Sequence, residues 1–261
     1  DALDPYKVYS SVLGTFDFGV ADFVETELCA GVRTLFEPMA GTAEFCYSGH
    51  FRFPEFKYIM IDLDEEARDL VMAQRWLPQA RKQYLLGDVL APEVWEQVKS
   101  ESEGESLAYI GKQSHHYFDA KQLMSLMKEA TAHVDYLMLE TPQICLVSDM
   151  GDTDELTRPE QEDAGFTCEL VGEKDGDPNP LTHRLSFRLE ASNGRKSRGL
   201  FNYHDWRSWG HSTLVAFADL LYLRSFYYHS EDEDFVPVSD WDGEADCEEN
   251  VTFMLFTRRN V

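Results

Sequence analysis

The sequence predicts an α/β domain built on a mostly parallel sheet with helices on both faces. Between residues 32 and 145, short apolar runs alternate with longer amphipathic ones, as in successive strand–helix–strand units. From 181 to 203, polar and apolar residues alternate on both sides of Asn193-Gly194, which predicts an antiparallel β-hairpin. With 261 residues, 43% of them apolar, the chain can bury the core that such a sheet needs.

Five apolar runs in the first half are the predicted parallel strands. Each has the length of a strand, and the segments between them have helical spacing. In chain order they are VRTLFEP, KYIMIDL, QYLLGDVL, SLAYIG and VDYLMLETP.

Two of the intervening helices have local sequence support. In 64–77, Asp64 and Glu65 lie in the first turn, where negative charge suits the helix dipole. In 119–132, Asp119 can cap a helix whose apolar residues recur at helical spacing. After the hairpin we expect a last helix in STLVAFADLLYL and a closing antiparallel strand in VTFMLFTRR.

Composition excludes several classes of partner. The formal net charge of -25 disfavours nucleic acid and anionic membranes, because both are bound largely through Lys and Arg. Five widely spaced cysteines without a CxxC pair favour neither a disulfide framework nor a zinc ribbon. The sequence shows no apolar run of about 18 residues, so we expect a soluble, cytoplasmic protein.

Three predicted strands end on an acidic residue: Glu37, Asp62 and Asp88. In an open parallel sheet, ligands bind outside the carboxyl ends of the strands. Polar residues are common at strand ends, so one acid alone means little, but three in succession favour a nucleoside across the strand tips. A carboxylate accepts from ribose hydroxyls or an exocyclic amine, and Gly41 lets backbone approach the ligand.

The stretch LFEPMAGTAEF resembles the first signature of the class I S-adenosylmethionine-dependent methyltransferases, an acid followed by a glycine-rich turn. Glu37, Met39, Gly41 and Thr42 match its "EPM-x-GTG" variant. Met39 stands where the commonest form has its first glycine, and Ala43 where the last is usual. The resemblance implies a Rossmann-like, mostly parallel, seven-stranded sheet.

The second and third signatures follow in order. By resemblance, Asp62 would hold both ribose hydroxyls and Leu63 would pack on adenine. Asp88 would accept a hydrogen bond from the adenine amine, and Val89 would lie near the adenine ring. The fourth resembles SLAYIGKQSHHYF, so Ile110 joins the predicted cofactor-binding residues.

The resemblance implies transfer of a methyl group from S-adenosylmethionine to a small molecule, with S-adenosylhomocysteine as product. Missing glycines make a GxGxxG dehydrogenase a poorer match, and no P-loop is present. Two alternatives stay open. One is a catalytically silent cofactor-binding or regulatory protein, suggested by Met39 and Ala43; the other is an aminopropyl transferase.

His115 and His116 are the candidate catalytic bases, because they follow the fourth strand and histidine titrates near neutral pH. The pair is not separable by sequence. Adjacent histidines in a loop can equally be surface residues or orient the backbone.

The stretch NYHDWRSWGHS suggests an acceptor pocket, with His204, Trp206 and Trp209 as substrate-binding candidates. Structural packing is the competing interpretation. A zinc site from His204 and His211 lacks a third ligand, so no metal is expected.

We expect a single methyltransferase domain over 1–261. Residues 1–31 form an N-terminal lid or helical segment, in which Tyr9 folds over the cofactor; 32–150 form the cofactor-binding half; and 151–261 form the acceptor-side half. The hairpin 181–203 is expected to cover the active site. The expected partner is a small-molecule acceptor, and a homodimer is compatible with the sequence.

Overall fold

The computed structural model describes residues 23–73, 81–111, 114–140, 209–229, 234–240 and 253–258, together with the backbone of four strands between 154 and 207. The chain divides into two compact units. One comprises 1–17 and 144–210, and the other comprises 18–143 and 211–261.

The described strands are β1 (Val32–Pro38), β2 (Lys57–Asp62), β3 (Lys82–Leu86), β4 (Glu105–Ile110), β5 (Tyr136–Glu140), β6 (Asp154–Leu156), β7 (Thr167–Lys174), β8 (Arg184–Ser192), β9 (Ser197–Arg207), β10 (Arg224–His229), β11 (Asp234–Pro237) and β12 (Phe253–Thr257). The described α-helices are α1 (Glu44–Arg52), α2 (Glu65–Ala73), α3 (Pro92–Glu101), α4 (Ala120–His133) and α5 (His211–Leu220). None of these helices is long and apolar enough to cross a membrane.

The larger unit contains an eight-stranded sheet in the order β11-β10-β12-β5-β4-β1-β2-β3. Strands β1 to β5 pair in parallel, and β12 runs antiparallel between β5 and β10. The mostly parallel sheet and its closing antiparallel strand are therefore confirmed. The count is eight rather than the predicted seven, because β11 pairs antiparallel with β10. This short strand lies in an acidic stretch without a strand-like pattern, so the sequence did not reveal it.

Helices cover both faces of the sheet, as predicted. Neighbouring residues of a strand point to opposite faces, so Leu35 and Phe36 mark the two sides of β1. On the Leu35 face, α1 comes so close that a Cβ added to Gly49 would lie 3.2 Å from Leu35 Cδ1. On the other face, the Phe36 ring packs edge-on against Trp95 of α3, with 5.0 Å between ring centroids.

The predicted helix starts are confirmed by their caps. Asp119 accepts from the Gln122 amide at 2.8 Å and Gln122 Oε1 accepts from the Asp119 amide at 2.9 Å, forming a capping box for α4. Asp64 Oδ1 accepts from the amides of Glu66 and Ala67 at 2.8 and 3.1 Å, which caps α2.

The smaller unit contains a four-stranded sheet in the order β6-β7-β8-β9, antiparallel throughout. Strands β8 and β9 form the predicted hairpin around Asn193-Gly194, since Ser192 pairs with Ser197. The insertion is larger than the single hairpin expected, because β6 and β7 extend the sheet. Strand β9 also continues beyond 203 to Arg207, so His204 and Trp206 lie in a strand.

Candidate functional site

The carboxyl ends of β1, β2 and β3 lie level at one edge of the larger sheet. Glu37 pairs with Met60, and Asp62 pairs with Leu86. Strand β1 lies between β2 and β4, so the strand order reverses beside it. Such a reversal opens a crevice that serves as the usual ligand site of an open α/β sheet.

Every second residue of the loop after β1, from Met39 to Ala43, has a left-handed backbone conformation. Met39, Gly41 and Ala43 have φ angles of 57°, 48° and 59°, all in the left-handed region. Glycine enters this region freely, whereas other residues are disfavoured there by roughly 1–2 kcal/mol each. Met39 and Ala43 thus adopt a backbone conformation that glycine favours, at positions where the sequence resemblance implies glycine.

Gly41 is fixed by side chains from two neighbouring strands. Its amide donates to Asp62 Oδ2 and its carbonyl accepts from the Tyr84 hydroxyl, both at 2.9 Å. A Cβ built on Gly41 would meet no atom within 4 Å, so the space beside its Cα is open. A ligand could approach the backbone there.

Asp62 is held in place by three amides. Besides the Gly41 amide, its carboxylate accepts through Oδ1 from Leu63 at 2.7 Å and from Asp64 at 3.2 Å. Leu63 itself is 74% exposed. A fixed carboxylate beside an exposed apolar side chain could bind a ribose next to a purine ring.

Asp88 is exposed, and its Oδ1 accepts from the Leu90 amide at 2.9 Å. The next residue, Val89, is buried, and its carbonyl accepts from Trp95 Nε1 at 2.8 Å. These bonds order the loop after β3. The Ile110 side chain is fully buried at the end of β4, so we expect it to contact a ligand only through its backbone.

Glu37 has a structural role at the start of α1. Its Oε1 and Oε2 accept from the amides of Phe45 and Cys46 at 3.3 and 2.9 Å. The N-cap residue Ala43 has no side-chain acceptor, so the strand-end acid supplies the cap. Burial, together with the charge of Glu37, raises the pKa of the Cys46 thiol well above its usual value.

His115 and His116 lie in a short 3₁₀ helix, Ser114–Tyr117, directly after β4. Both are fully buried, so the interpretation as surface residues is wrong. Their ring centroids are 4.0 Å apart. Burial, and secondarily His116, lowers the pKa of His115 well below its usual value. Among the described residues, neither ring nitrogen of His115 has a hydrogen-bond partner, which distinguishes it as a candidate base.

The sequence analysis missed one pair at the same edge. Tyr109 of β4 donates to Glu140 Oε2, at the end of β5, at 3.0 Å. Burial, followed by the charges of Glu140 and Glu37, raises the pKa of the Tyr109 hydroxyl. Glu140 is a fourth acidic strand end, so the rule that selected the other three could have found it. Tyr109 gave no comparable signal.

The acceptor candidates are described less fully. His204 and Trp206 lie in β9, of which the structure describes the backbone. Trp209 is buried, at 3% exposure. Tyr9 lies outside the described residues. In the described part of the chain, no three His, Cys, Asp or Glu side chains are grouped as metal ligands.

Neither a protein-family model nor a curated protein matches the sequence. Solved structures do match over nearly the whole chain. The sugar N-methyltransferase KedS8 from Streptoalloteichus sp ATCC 53650 is 15% identical with a TM-score of 0.61, over 99% of this chain and 95% of that one. The CcbJ methyltransferase from Streptomyces caelestis is 12% identical with a TM-score of 0.63, over 98% and 99%.

A third structure contains bound S-adenosylmethionine. It is CalS10, an amino pentose methyltransferase from Micromonospora echinaspora, which is 13% identical with a TM-score of 0.54, over 99% of this chain and 93% of that one. At these identities the likeness concerns the fold. The chain has the Rossmann-like fold of the S-adenosylmethionine-dependent methyltransferases, as the resemblance in its sequence implied.

Proposed function

We propose that the protein transfers a methyl group from S-adenosylmethionine to an amine of a small molecule. The observation that carries the proposal is the loop after β1. The backbone of Met39, Gly41 and Ala43 lies in the left-handed region. Asp62, at the end of the next strand, accepts a hydrogen bond from the Gly41 amide. This geometry suits a nucleoside ligand at the carboxyl edge of a parallel sheet.

The residues at this edge fit the cofactor in their chemistry. Asp62 and Asp88 offer carboxylate oxygens to ribose hydroxyls and to the adenine amine. The exposed side chain of Leu63 offers apolar surface to a purine ring. A sulfonium nucleoside has no pyrophosphate to bind, so a loop with the single glycine Gly41 suffices if its backbone shape is kept, as it is here.

The bound cofactor would supply a methyl group activated by its positive sulfur. The chain's own task is to align the acceptor and to take up its proton, since amines are largely protonated at neutral pH. His115 is our candidate for the second task, because it follows β4 and neither of its ring nitrogens has a hydrogen-bond partner among the described residues. We propose His115 as the base, with His116 packed against it.

Two observations favour an amine over a hydroxyl acceptor. The first is charge: Asp62 and Glu140 end two strands of one sheet, Glu37 is the last residue but one of a third, Asp88 follows a fourth, and the net charge is -25. Such a field attracts a cationic acceptor. The second is the printed description of two similar structures as a sugar N-methyltransferase and an amino pentose methyltransferase. His204, Trp206 and Trp209 remain our proposed acceptor-binding residues.

Calorimetry with S-adenosylhomocysteine tests the cofactor site. We expect saturable binding with one site per chain; a folded protein that binds neither this compound nor S-adenosylmethionine would contradict the proposal. The acceptor is tested with amino sugars paired with the same sugars carrying a hydroxyl in place of the amine. Turnover with the amines alone supports the proposal, and turnover with the hydroxyl sugars alone overturns the amine assignment.

The product identifies the reaction. S-Adenosylhomocysteine, identified by mass, indicates methyl transfer, whereas methylthioadenosine indicates an aminopropyl transferase. Tight cofactor binding without turnover of any acceptor would favour the silent cofactor-binding protein, for which Met39 and Ala43 are the motivation.

A further inference from the structure

The amide and the carbonyl of Gly41 are both hydrogen-bonded to side chains, which come from two different strands. Asp62 at the end of β2 accepts from its amide, and Tyr84 in β3 donates to its carbonyl. Both distances are 2.9 Å. The signature in the sequence contains Gly41 and Asp62, but nothing in it points to Tyr84.

Tyr84 contacts the loop from a buried position within the sheet. It pairs with Met60 in the middle of β2 and is only 7% exposed, within the core of the sheet. Packing therefore fixes the Tyr84 ring, and its hydroxyl extends to the loop. A donor of this kind favours one orientation of the Gly41 carbonyl, in a residue whose φ is 48°.

The rest of the loop is also held by hydrogen bonds within the protein. The Ala40 amide donates to the Ile61 carbonyl at 2.8 Å, and the Ala43 amide donates to the Ala40 carbonyl at 2.7 Å. A site that is already ordered loses less conformational entropy on binding. Each bond that fixes the loop in its binding shape thus contributes to affinity.

We propose that Tyr84 is a positioning residue of the cofactor site, which holds the Gly41 loop in its binding conformation through a single hydrogen bond. The inference rests on the proposed function, since it assumes that this loop receives the cofactor. It predicts an effect on cofactor affinity from a residue buried in the sheet.

The test is Tyr84→Phe, which removes the hydroxyl and keeps the ring. Loss of one hydrogen bond corresponds to a roughly 2- to 12-fold increase in Kd for S-adenosylhomocysteine. With saturating cofactor, kcat should stay near the wild-type value while KM for S-adenosylmethionine rises. An unchanged Kd, measured by calorimetry on the folded variant, would overturn the inference.

Tyr58→Phe is the matched control. The Tyr58 hydroxyl also donates to a backbone carbonyl, that of Phe53, at 2.7 Å, and its ring is also buried in the sheet. This variant should lose stability in the same way and keep the wild-type Kd. An equal rise in Kd in both variants would mean that Tyr84 acts through general stability, against the inference.

Hydrogen exchange of the ligand-free wild type provides a test that needs no variant. The amides of residues 40, 41 and 43 should be protected, because each donates to an acceptor within the protein; rapid exchange there would contradict the inference. Failure of the proposed function is a separate result, since in that case the wild type itself would bind no S-adenosylhomocysteine.

Discussion

Glu37 and Cys46 are joined by a hydrogen bond of 2.9 Å between the carboxylate of a strand end and an amide in the first turn of the following helix. The other carboxylate oxygen accepts from the Phe45 amide at 3.3 Å. The motif acid therefore stabilises the loop and the start of helix α1 through bonds within the protein. The needs of folding alone explain an acid at this position, and contact of Glu37 with the cofactor stays a prediction.

Glu37→Ala should lower the free energy of unfolding of the ligand-free protein by about 1–2 kcal/mol, the usual cost of a lost N-cap. Glu37→Gln keeps one side-chain oxygen as acceptor and should lose less. Urea denaturation of the three proteins measures the difference. Equal stability of Glu37→Ala and wild type would mean that the cap contributes nothing.

Asp62→Ala should weaken binding of S-adenosylhomocysteine by several kcal/mol at most, since each charge-assisted hydrogen bond contributes about 1.5–3 kcal/mol. The variant also loses the acceptor of the Gly41 amide, so its loop is less ordered. Calorimetry gives the affinity, and unchanged binding would remove Asp62 from the site.

Asp135→Ala is the control for this experiment. Asp135 precedes β5, and its carboxylate accepts from the Ser106 amide at 2.8 Å, near the opposite ends of the strands. The variant loses a carboxylate-to-amide bond of the same kind. We expect lower stability with wild-type cofactor affinity.

The parallel part of the larger sheet was predictable because its pattern is local. The strands, the helix cap Asp119 and the acids Glu37 and Asp62 are each indicated by neighbouring residues, and the structure has them where they were expected. Asp88 is the exception, because β3 ends at Leu86 and Asp88 lies in the loop that follows. Asp62 and Gly41 lie 21 positions apart, and the strand order brings them together.

Other contacts of the site depend on distant residues and left no local signal. Tyr84 reaches Gly41 across 43 positions, and Tyr109 meets Glu140 across 31. In the sequence each tyrosine is merely an apolar residue of a strand. The burial of His115 had no signal either, because adjacent histidines in a polar stretch resemble a surface loop.

Gly41→Ala should reduce stability modestly and cofactor affinity more. With φ at +48° the alanine is disfavoured by about 1–2 kcal/mol, but no atom lies within 4 Å of its methyl group to clash with it. That open space is where we expect the cofactor to approach the backbone. Denaturation measures the loss of stability, and calorimetry measures the loss of cofactor affinity.

Gly104→Ala is its matched control. Gly104 also has a positive φ, +66°, and an added Cβ would lie 3.0 Å from Arg33 Cβ, so this variant should lose at least as much stability. Because Gly104 precedes β4, near the opposite ends of the strands, cofactor affinity should be unchanged. Equal losses of affinity in both variants would contradict the assignment of Gly41 to the cofactor site.

His115 should make stability depend on pH in a defined window. Its pKa is lowered in the folded protein by burial and by His116, whereas in the unfolded chain it is near 6.5. Between these two values the unfolded chain binds more protons, so the stabilisation is complete above about pH 6.5 and is lost as the pH falls toward the folded-state pKa. The expected slope is at most about 1.4 kcal/mol per pH unit. Urea denaturation between pH 7.5 and 5 measures it, above the range where most carboxylates titrate, and His115→Phe should flatten the curve there. An equal slope in the variant would show that His115 is not held neutral by the fold.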